Sequence, residues 1–303
     1  MMIQTLDDMM NSLSGMPRKR LVVAHAMDSH TIGAVSLAVE KGFVDAILIG
    51  DKNEIQQISN KEGCALSSFE IIHEKDPFSS ALQAVSMVRD GKGDLIMKGS
   101  VSTDQYMRAI LNKEKGILAQ GSLLTHVAVL EPVSYHKLLI VGDVAIIPNP
   151  DLKEKKIILK HLILAAHMLG NKNPKVALIA ATEQVLPGME ACVDAALLSK
   201  MAERGQIKGA IVDGPLALDV ALDKKSAAIK KIDSPVSGDV DCLLFPNIES
   251  GNVFYKCHTK LMGGNTAAIV AGARVPVILS SRGDSTETKL YSIALGTLIS
   301  TKS

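Results

Sequence analysis

Tryptophan is absent from this sequence, and aromatic residues make up only 3% of its 303 positions. Proteins that bind single-stranded nucleic acids stack the bases on aromatic side chains. The formal net charge is only +1, and both signs of charge are interspersed, so the chain also lacks the basic segment of a polyanion-binding protein. These scarcities argue against a nucleic-acid partner.

Cysteine is scarce and scattered. The four cysteines, Cys64, Cys192, Cys242 and Cys257, form no CxxC pair. That spacing argues against a zinc knuckle and against a disulfide framework. It is typical of a protein that stays in a reducing compartment, so a cytoplasmic location is expected.

Long apolar runs are also missing. None approaches the roughly 18 residues that a membrane-spanning helix needs, and Asp7 and Asp8 occupy positions where a signal peptide would be apolar. We therefore expect no membrane association. The apolar spacing from Ile3 to Leu13 instead predicts a short amphipathic helix.

Several motifs of common enzyme classes do not occur. The sequence has no GxGxxG after an apolar run, no GxxxxGK followed by Ser or Thr, and no HExxH. The dinucleotide-binding, nucleotide-hydrolysing and zinc-protease classes therefore lose their usual support.

Short apolar runs alternate with helical patterns along the whole chain. Such alternation predicts βαβ units and a mostly parallel α/β sheet, and the length favours about two domains, with a change of domain near 132–153. The predicted strands lie in 21–26, 45–50, 94–99, 124–131, 136–143, 175–182, 209–215, 241–248, 266–273 and 275–281.

The last of these strands leads into SSRGDSTETKL, residues 280–290. Ligands of parallel α/β proteins bind at the carboxyl ends of the strands. Asp284 or Ser285 can cap the helix that follows, with Glu287 completing a capping box. Arg282 then stands before a helix end that is already positive, so with Ser281 it predicts a site for a phosphate-sized anion. The alternative is an ordinary capped helix with Arg282 in a salt bridge.

A second strand exit, MKGSVSTDQYMR at 97–108, has the same form. Lys98 leaves the strand, Gly99 permits a close approach of the backbone, and Ser102 with Gln105 predicts a capping box. Arg108 lies on the helix that follows. The alternative is a lysine that reaches solvent beside an ordinary cap.

The exits of the second half leave alternatives open. Tyr255 and Lys256 could face a ligand, although Tyr255 could equally pack in the core. Asp213 and Asp219 either contact substrate or accept hydrogen bonds from backbone amides. Cys257 and His258 are adjacent on a helix and point in different directions, so they are poorly placed as a nucleophile and its base.

The stretch HAMDSH could imitate a metal site built from two histidines and a carboxylate, His25, Asp28 and His30. An Asp-Ser pair at this position more often caps a helix. We therefore expect no metal.

Four stretches, LIMKGSVST, DGPLALD, GDVDCLLFPNIESGNVFYK and VPVILSSRGDSTETKLYSIAL, resemble the phosphate acetyltransferase/phosphate butyryltransferase family, most closely its butyryltransferase branch. The resemblance implies a two-domain α/β protein like isocitrate and isopropylmalate dehydrogenases, with helices on both faces of mostly parallel sheets. Domain I would comprise 1–135 plus 270–303 and domain II 136–269, with the active site in the cleft between them.

The resemblance also implies an activity: acyl-CoA and phosphate give acyl phosphate and CoA, reversibly and without an acyl-enzyme. The acyl group would be butyryl or another short or branched chain. Coenzyme A would be a substrate, no cofactor would be bound permanently, and the protein would form a homodimer or a larger homo-oligomer.

By the same resemblance, Ser281 and Arg282 stand at the reacting centre. Acetate-specific relatives carry an acidic pair shortly after SRG, one member of which acts as base. Here that pair reads Glu287-Thr288, so Glu287 and Asp284 are the two candidate bases. The residues that would bind substrate and CoA are Lys98, Ser100, Thr103, Arg108, Asp219, Asn252, Tyr255 and Lys256.

Two other functions remain compatible with the sequence. One is a metal- and NAD(P)-dependent decarboxylating dehydrogenase of the same fold, and the other is a non-catalytic acyl-CoA-binding protein.

Overall fold

The structure, a computed structural model, describes residues 2–119, 121–281 and 283–301. Within them the chain forms eleven strands and eleven α-helices. The strands are β1 (Lys19–Ala24), β2 (Val44–Gly50), β3 (Phe69–His73), β4 (Leu95–Lys98), β5 (Thr125–Glu131), β6 (Leu139–Gly142), β7 (Lys175–Ile179), β8 (Ile211–Leu216), β9 (Cys242–Leu244), β10 (Asn265–Ala271) and β11 (Val277–Ile278). The helices are α1 (Leu6–Ser12), α2 (Ser29–Glu40), α3 (Lys52–Glu62), α4 (Pro77–Arg89), α5 (Thr103–Ile110), α6 (Leu152–Met168), α7 (Glu190–Glu203), α8 (Leu218–Leu222), α9 (Lys224–Ile229), α10 (Ile248–Lys256) and α11 (Thr286–Ser300).

The chain divides into two compact units. The terminal unit comprises Asp7–Leu124 and Ala267–Ser303, and the middle unit comprises Met1–Leu6 and Thr125–Thr266. The sequence analysis expects two domains with boundaries at 135/136 and 269/270, and these boundaries stay a prediction.

The sheet of the terminal unit has the strand order β3-β2-β1-β4-β11-β10. Its strands pair in parallel except β10 and β11, which are antiparallel. Residues Leu21 to Ala24 of β1 are fully buried, which explains the continuous apolar run of this strand. Each of the Leu and Val side chains among them contributes about 1.5–3 kcal/mol through its burial. Helix α4 packs against β1, β2 and β4, while α2 packs against α11.

The sheet of the middle unit has the order β5-β6-β9-β7-β8, antiparallel between β5 and β6 and parallel elsewhere. Helix α6 packs on β5, β6 and β9 and begins with a capping box between Asp151 and Glu154. Its Lys155 forms a buried ion pair with Asp194 of α7, with Nζ and Oδ2 2.6 Å apart. This unit therefore holds a lysine whose charge is neutralised inside the protein.

The mostly parallel α/β prediction is confirmed, because most strand pairs are parallel. Each of the ten predicted runs overlaps a strand, and the amphipathic helix appears as α1. The predicted strands do not include β3. This strand lies at the edge of its sheet, and none of its five residues is buried, so it lacks the apolar run that marks the others. Among the described residues, no helix is long and apolar enough to cross a membrane.

Candidate active site

The carboxyl ends of three neighbouring strands meet at one edge of the terminal unit's sheet. β4 pairs in parallel with β1, where Lys98 lies opposite Ala24, and with β11, where Met97 lies opposite Ile278. Parallel neighbours end at the same edge, which is where α/β proteins bind ligands. The loops that follow β1, β4 and β11 therefore lie side by side.

The loop after β4 is tied closely to the end of β1. The N–H of Gly99 donates to the Ala24 carbonyl, and both the N–H and the hydroxyl of Ser100 donate to the His25 carbonyl, at 2.9–3.0 Å. A Cβ atom on Gly99 would lie 2.3 Å from the His25 oxygen. The predicted close approach at Gly99 is confirmed, since no side chain fits there.

Lys98 is only 3% exposed. Its ammonium folds back onto the loop that follows it, donating to the carbonyls of Gly99 at 2.9 Å and Val101 at 3.1 Å. The alternative of a solvent-exposed lysine is therefore wrong. A buried positive charge stands instead between the end of β4 and the start of α5.

Helix α5 starts where the sequence predicts, although its cap differs in one detail. Ser102 Oγ accepts a hydrogen bond from the Gln105 N–H at 3.2 Å, and the Gln105 side chain meets that same hydroxyl at 3.1 Å. Thr103, the first helical residue, is exposed. Arg108 pairs with Asp104 at 2.7 Å on the surface, an interaction worth under about 1 kcal/mol, so its part in binding stays a prediction.

The exit of β11 is a tight turn built around Ser281. The Ser281 N–H donates to Asp284 Oδ2 at 2.7 Å, and the Asp284 N–H donates to the Ser281 carbonyl at 3.2 Å. The Ser281 hydroxyl accepts a long hydrogen bond, 3.4 Å, from the Gly283 N–H. Arg282, the predicted phosphate ligand, lies outside the described residues.

Ser285 caps helix α11, and the predicted box between Asp284 and Glu287 is wrong. Ser285 Oγ accepts a hydrogen bond from the Thr288 N–H at 3.1 Å, because the Asp284 carboxylate is already engaged by Ser281. Glu287 is exposed and its Oε1 lies 3.4 Å from the Tyr291 hydroxyl. Of the two candidate bases, Asp284 is therefore the one in contact with Ser281.

The loop after β1 holds a helix cap. Asp28 accepts a hydrogen bond from the Thr31 N–H at 2.8 Å, and no group of three metal-ligating side chains occurs among the residues described. His30 Nδ1 lies 3.1 Å from Thr286 Oγ1, which joins the first turns of α2 and α11. His25 adopts a positive φ of 56°, and burial lowers the pKa of its imidazole.

Lys289 is a residue of this region that the sequence analysis does not single out. It is 2% exposed, and its ammonium donates to Ser280 Oγ at 3.0 Å and more weakly to the Ser281 carbonyl at 3.4 Å. The signal that could have found it is the composition of α11, which has no charged residue after Lys289. A lysine in such a helix has little access to solvent.

In the middle unit, α10 carries three of the predicted ligand-binding residues. Asn252 Nδ2 donates to the Val144 carbonyl at 2.9 Å. The Tyr255 ring meets the His126 ring edge to face, with centroids 6.1 Å apart, and the Lys256 ammonium lies 5.2 Å from the Tyr255 centroid. Asn252 and Tyr255 are partly exposed and Lys256 is exposed, so all three remain available to a ligand.

The remaining candidates of the middle unit have local partners. His258 is buried and its Nε2 lies 2.9 Å from the Asn265 carbonyl, so it is a satisfied core histidine rather than a base for Cys257. Asp213 accepts from the Gly214 N–H at 2.8 Å. Asp219 pairs with Lys230 at 3.0 Å, and the hydrogen bond from that ammonium lowers the pKa of its carboxyl.

The model of the family described as phosphate acetyl/butaryl transferase matches residues 76–297, a span that includes both the Lys98 loop and the Ser281 turn. The chain belongs to this family.

Individual relatives agree with this membership. The chain is 44% identical to the phosphate butyryltransferase of Clostridium acetobutylicum, over 98% of this chain and 99% of the relative. It is 41% identical to the phosphate butyryltransferase of Clostridium beijerinckii, over 99% of each. Among solved structures, it is similar to a branched-chain phosphotransacylase from Enterococcus faecalis, with a TM-score of 0.81, 27% identity, and coverage of 93% of this chain and 99% of that one.

Proposed function

We propose that this protein transfers a short acyl group reversibly between coenzyme A and inorganic phosphate, with butyryl or another short or branched chain as the acyl group. The observation that carries the proposal is the Ser281 turn: it places a serine hydroxyl and the start of α11 at the sheet edge that also holds the buried Lys98. A helix N-terminus beside fixed cations is a favourable place for phosphate. Membership of the phosphate acetyl/butyryl transferase family is our reason for proposing acyl-CoA as the other substrate.

The chemistry needs a phosphate ligand, an oxyanion donor and a base. Only one of the free N–H groups at the start of α11 is satisfied by Ser285, so others remain for an anion. We assign the phosphate to these amides together with Arg282, whose guanidinium fork suits it. Within the part of the chain that the structure describes, the Ser281 hydroxyl accepts one long hydrogen bond, and it can donate its own proton to the carbonyl oxygen of the acyl group as that oxygen becomes negative.

The base removes the proton of the CoA thiol before the thiolate attacks the acyl phosphate. We assign this role to Asp284 in preference to Glu287, because Asp284 contacts Ser281 while Glu287 neighbours Tyr291. In the reverse direction the same carboxylic acid returns the proton to the departing thiolate. Phosphate is the nucleophile in that direction, so every atom is conserved without an acyl-enzyme.

The remaining predicted residues belong to the proposal as the binding surface for acyl-CoA. They are Lys98, Ser100, Thr103, Arg108, Asp219, Asn252, Tyr255 and Lys256. The division into domains 1–135 plus 270–303 and 136–269, with an active-site cleft as in isocitrate and isopropylmalate dehydrogenases, is part of the same proposal. So are a homodimeric or larger assembly, a cytoplasmic location and the lack of a permanently bound cofactor.

A single assay tests the function. Purified protein is mixed with acetyl-, propionyl-, butyryl- or isobutyryl-CoA, and CoA release is measured with and without phosphate. We expect release that depends on phosphate and a kcat/KM that rises several-fold per carbon from acetyl to butyryl, because each buried methylene is worth about 0.8 kcal/mol.

Two results would contradict the proposal. Binding of acyl-CoA without turnover would identify a non-catalytic binding protein. A kcat/KM that is highest for acetyl-CoA and falls with chain length would contradict the butyryl assignment but would still agree with the proposed type of reaction.

A further inference from the structure

Lys289 lies directly behind the turn to which the proposed function assigns the reaction. It is the fourth residue of α11, and side chains on a helix lean toward the N-terminus. Its ammonium therefore reaches back to the end of β11, where Ser280 Oγ accepts a hydrogen bond at 3.0 Å and the Ser281 carbonyl lies at 3.4 Å.

The ammonium of Lys289 has an unusual set of partners for a buried charge. Within the described residues its direct acceptors are a hydroxyl and a carbonyl, and it forms no ion pair with a carboxylate. A buried cation is costly unless an opposite charge compensates it. Asp28 and Asp284 attract it through space, while burial, the larger effect, lowers its pKa. The positive charge is thus only partly compensated inside the unit.

Lys289 and Asp284 together hold Ser281 from two sides. Asp284 accepts the hydrogen bond of the Ser281 N–H at 2.7 Å. The Ser281 carbonyl accepts hydrogen bonds from Lys289 at 3.4 Å and from the Asp284 N–H at 3.2 Å. The backbone of Ser281 is therefore fixed between an anion and a cation. Among the described residues, its hydroxyl takes part in one long hydrogen bond, from the Gly283 N–H.

We propose that Lys289 is a positioning residue of the acyl transfer: it holds Ser280 and Ser281 in the reactive arrangement and adds a fixed positive charge behind the phosphate site. This inference rests on the proposed function. It goes beyond that function because it assigns the placement of the reacting serine to a residue that need not touch the substrate.

The test compares Lys289→Met with Lys155→Met, a change in a second lysine that is equally buried but lies in α6 of the middle unit. Activity is expressed per folded molecule, with the folded fraction taken from urea unfolding. We expect Lys289→Met to lower kcat about 10²-fold, the effect of a misplaced reacting group, with KM for acyl-CoA changed less than about threefold. Lys155→Met should keep the wild-type kcat.

Two further variants complete the experiment. Lys289→Arg keeps the charge and should recover about tenfold of the lost kcat, which loss of packing alone would not allow. If Lys289→Met does not fold, Ser280→Ala removes the main acceptor and keeps the lysine, and kcat should fall about threefold or more.

An active wild-type protein with an unchanged kcat in the folded Lys289→Met variant overturns this inference alone. The same holds for an unchanged kcat in Ser280→Ala when Lys289→Met does not fold. A wild-type protein that releases no CoA in response to phosphate overturns the proposed function, and this inference with it.

Discussion

Lys155 and Lys289, two of the buried lysines, lie in different units and differ in the partners that surround them. Lys155 of the middle unit is 3% exposed and meets Asp194 at 2.6 Å, so a carboxylate neutralises its charge. Lys289 of the terminal unit is 2% exposed and donates to a hydroxyl and a carbonyl. The charge of Lys155 is neutralised by a carboxylate inside the protein, so it stabilises the fold. The charge of Lys289 is solvated only by neutral dipoles among the described residues, so its positive potential remains available to an anionic ligand. We therefore expect the loss of Lys155 to affect stability and the loss of Lys289 to affect the rate.

The largest effect should be on stability and should come from the middle unit. Lys155→Met leaves Asp194 buried without its partner, so the free energy of unfolding should fall by about 3–5 kcal/mol. Denaturant unfolding measures this loss. The double variant Lys155→Met/Asp194→Leu removes both charges and should recover most of it; a double variant as unstable as the single one would show that packing, not the ion pair, holds α6 to α7.

The next effect concerns the terminal unit and should appear in the rate. Arg282→Lys keeps a positive charge but loses the bidentate fork that suits phosphate. Turnover should fall about 10²–10³-fold, as for the loss of one donor to a transition-state charge. Steady-state kinetics with varied phosphate checks this. Wild-type turnover in a folded Arg282→Ala protein would remove Arg282 from the site.

The two candidate bases form a matched pair. Asp284→Asn keeps an oxygen that can accept the Ser281 N–H but removes the carboxylate, so kcat should fall about 10²-fold. Glu287→Gln is the control, because Glu287 is exposed and does not cap α11, and it should keep kcat within about threefold. If Glu287→Gln loses the larger factor instead, the roles of the two carboxylates are reversed.

The smallest effect should come from a thiol of the middle unit. Cys257 is partly exposed and its neighbour His258 is engaged with the Asn265 carbonyl. Direct transfer uses no thiol of the protein, so Cys257→Ala should change kcat less than about twofold. An acylated Cys257, detected by mass spectrometry after incubation with acyl-CoA alone, would show that a covalent intermediate exists.

Most strands could be predicted from the sequence because they are buried on both faces. Runs such as LVVA in β1 have no polar alternation to confuse with a helix, and Gly or polar residues bound them. β3 could not be predicted in this way because Glu70 and His73 are exposed to solvent at the edge of the sheet. The helix α11 was predictable, but the choice of cap was not, since Asp284 and Ser285 are both good capping residues. Only the hydrogen bond from Ser281 decides between them.

The candidate site could be predicted in part, because strand exits and helix caps leave marks in the local sequence. Lys98 and Ser281 carry such marks. Lys289 does not, since its importance depends on contacts with Ser280 and on burial by elements distant in the chain. The interaction of His30 with Thr286 likewise joins residues 256 positions apart, so no local sequence pattern could predict it.

The outer strands of the two sheets have a consequence for how this protein behaves at high concentration. An exposed sheet edge invites strands of other molecules to pair with it and so leads to aggregation. In the terminal unit one outer strand is β3, which is five residues long and carries Glu70 and His73. In the middle unit it is β8, where Pro215 removes one backbone donor. Both strands therefore resist strand addition, and replacing Glu70 with a β-branched residue should increase the tendency of the protein to aggregate.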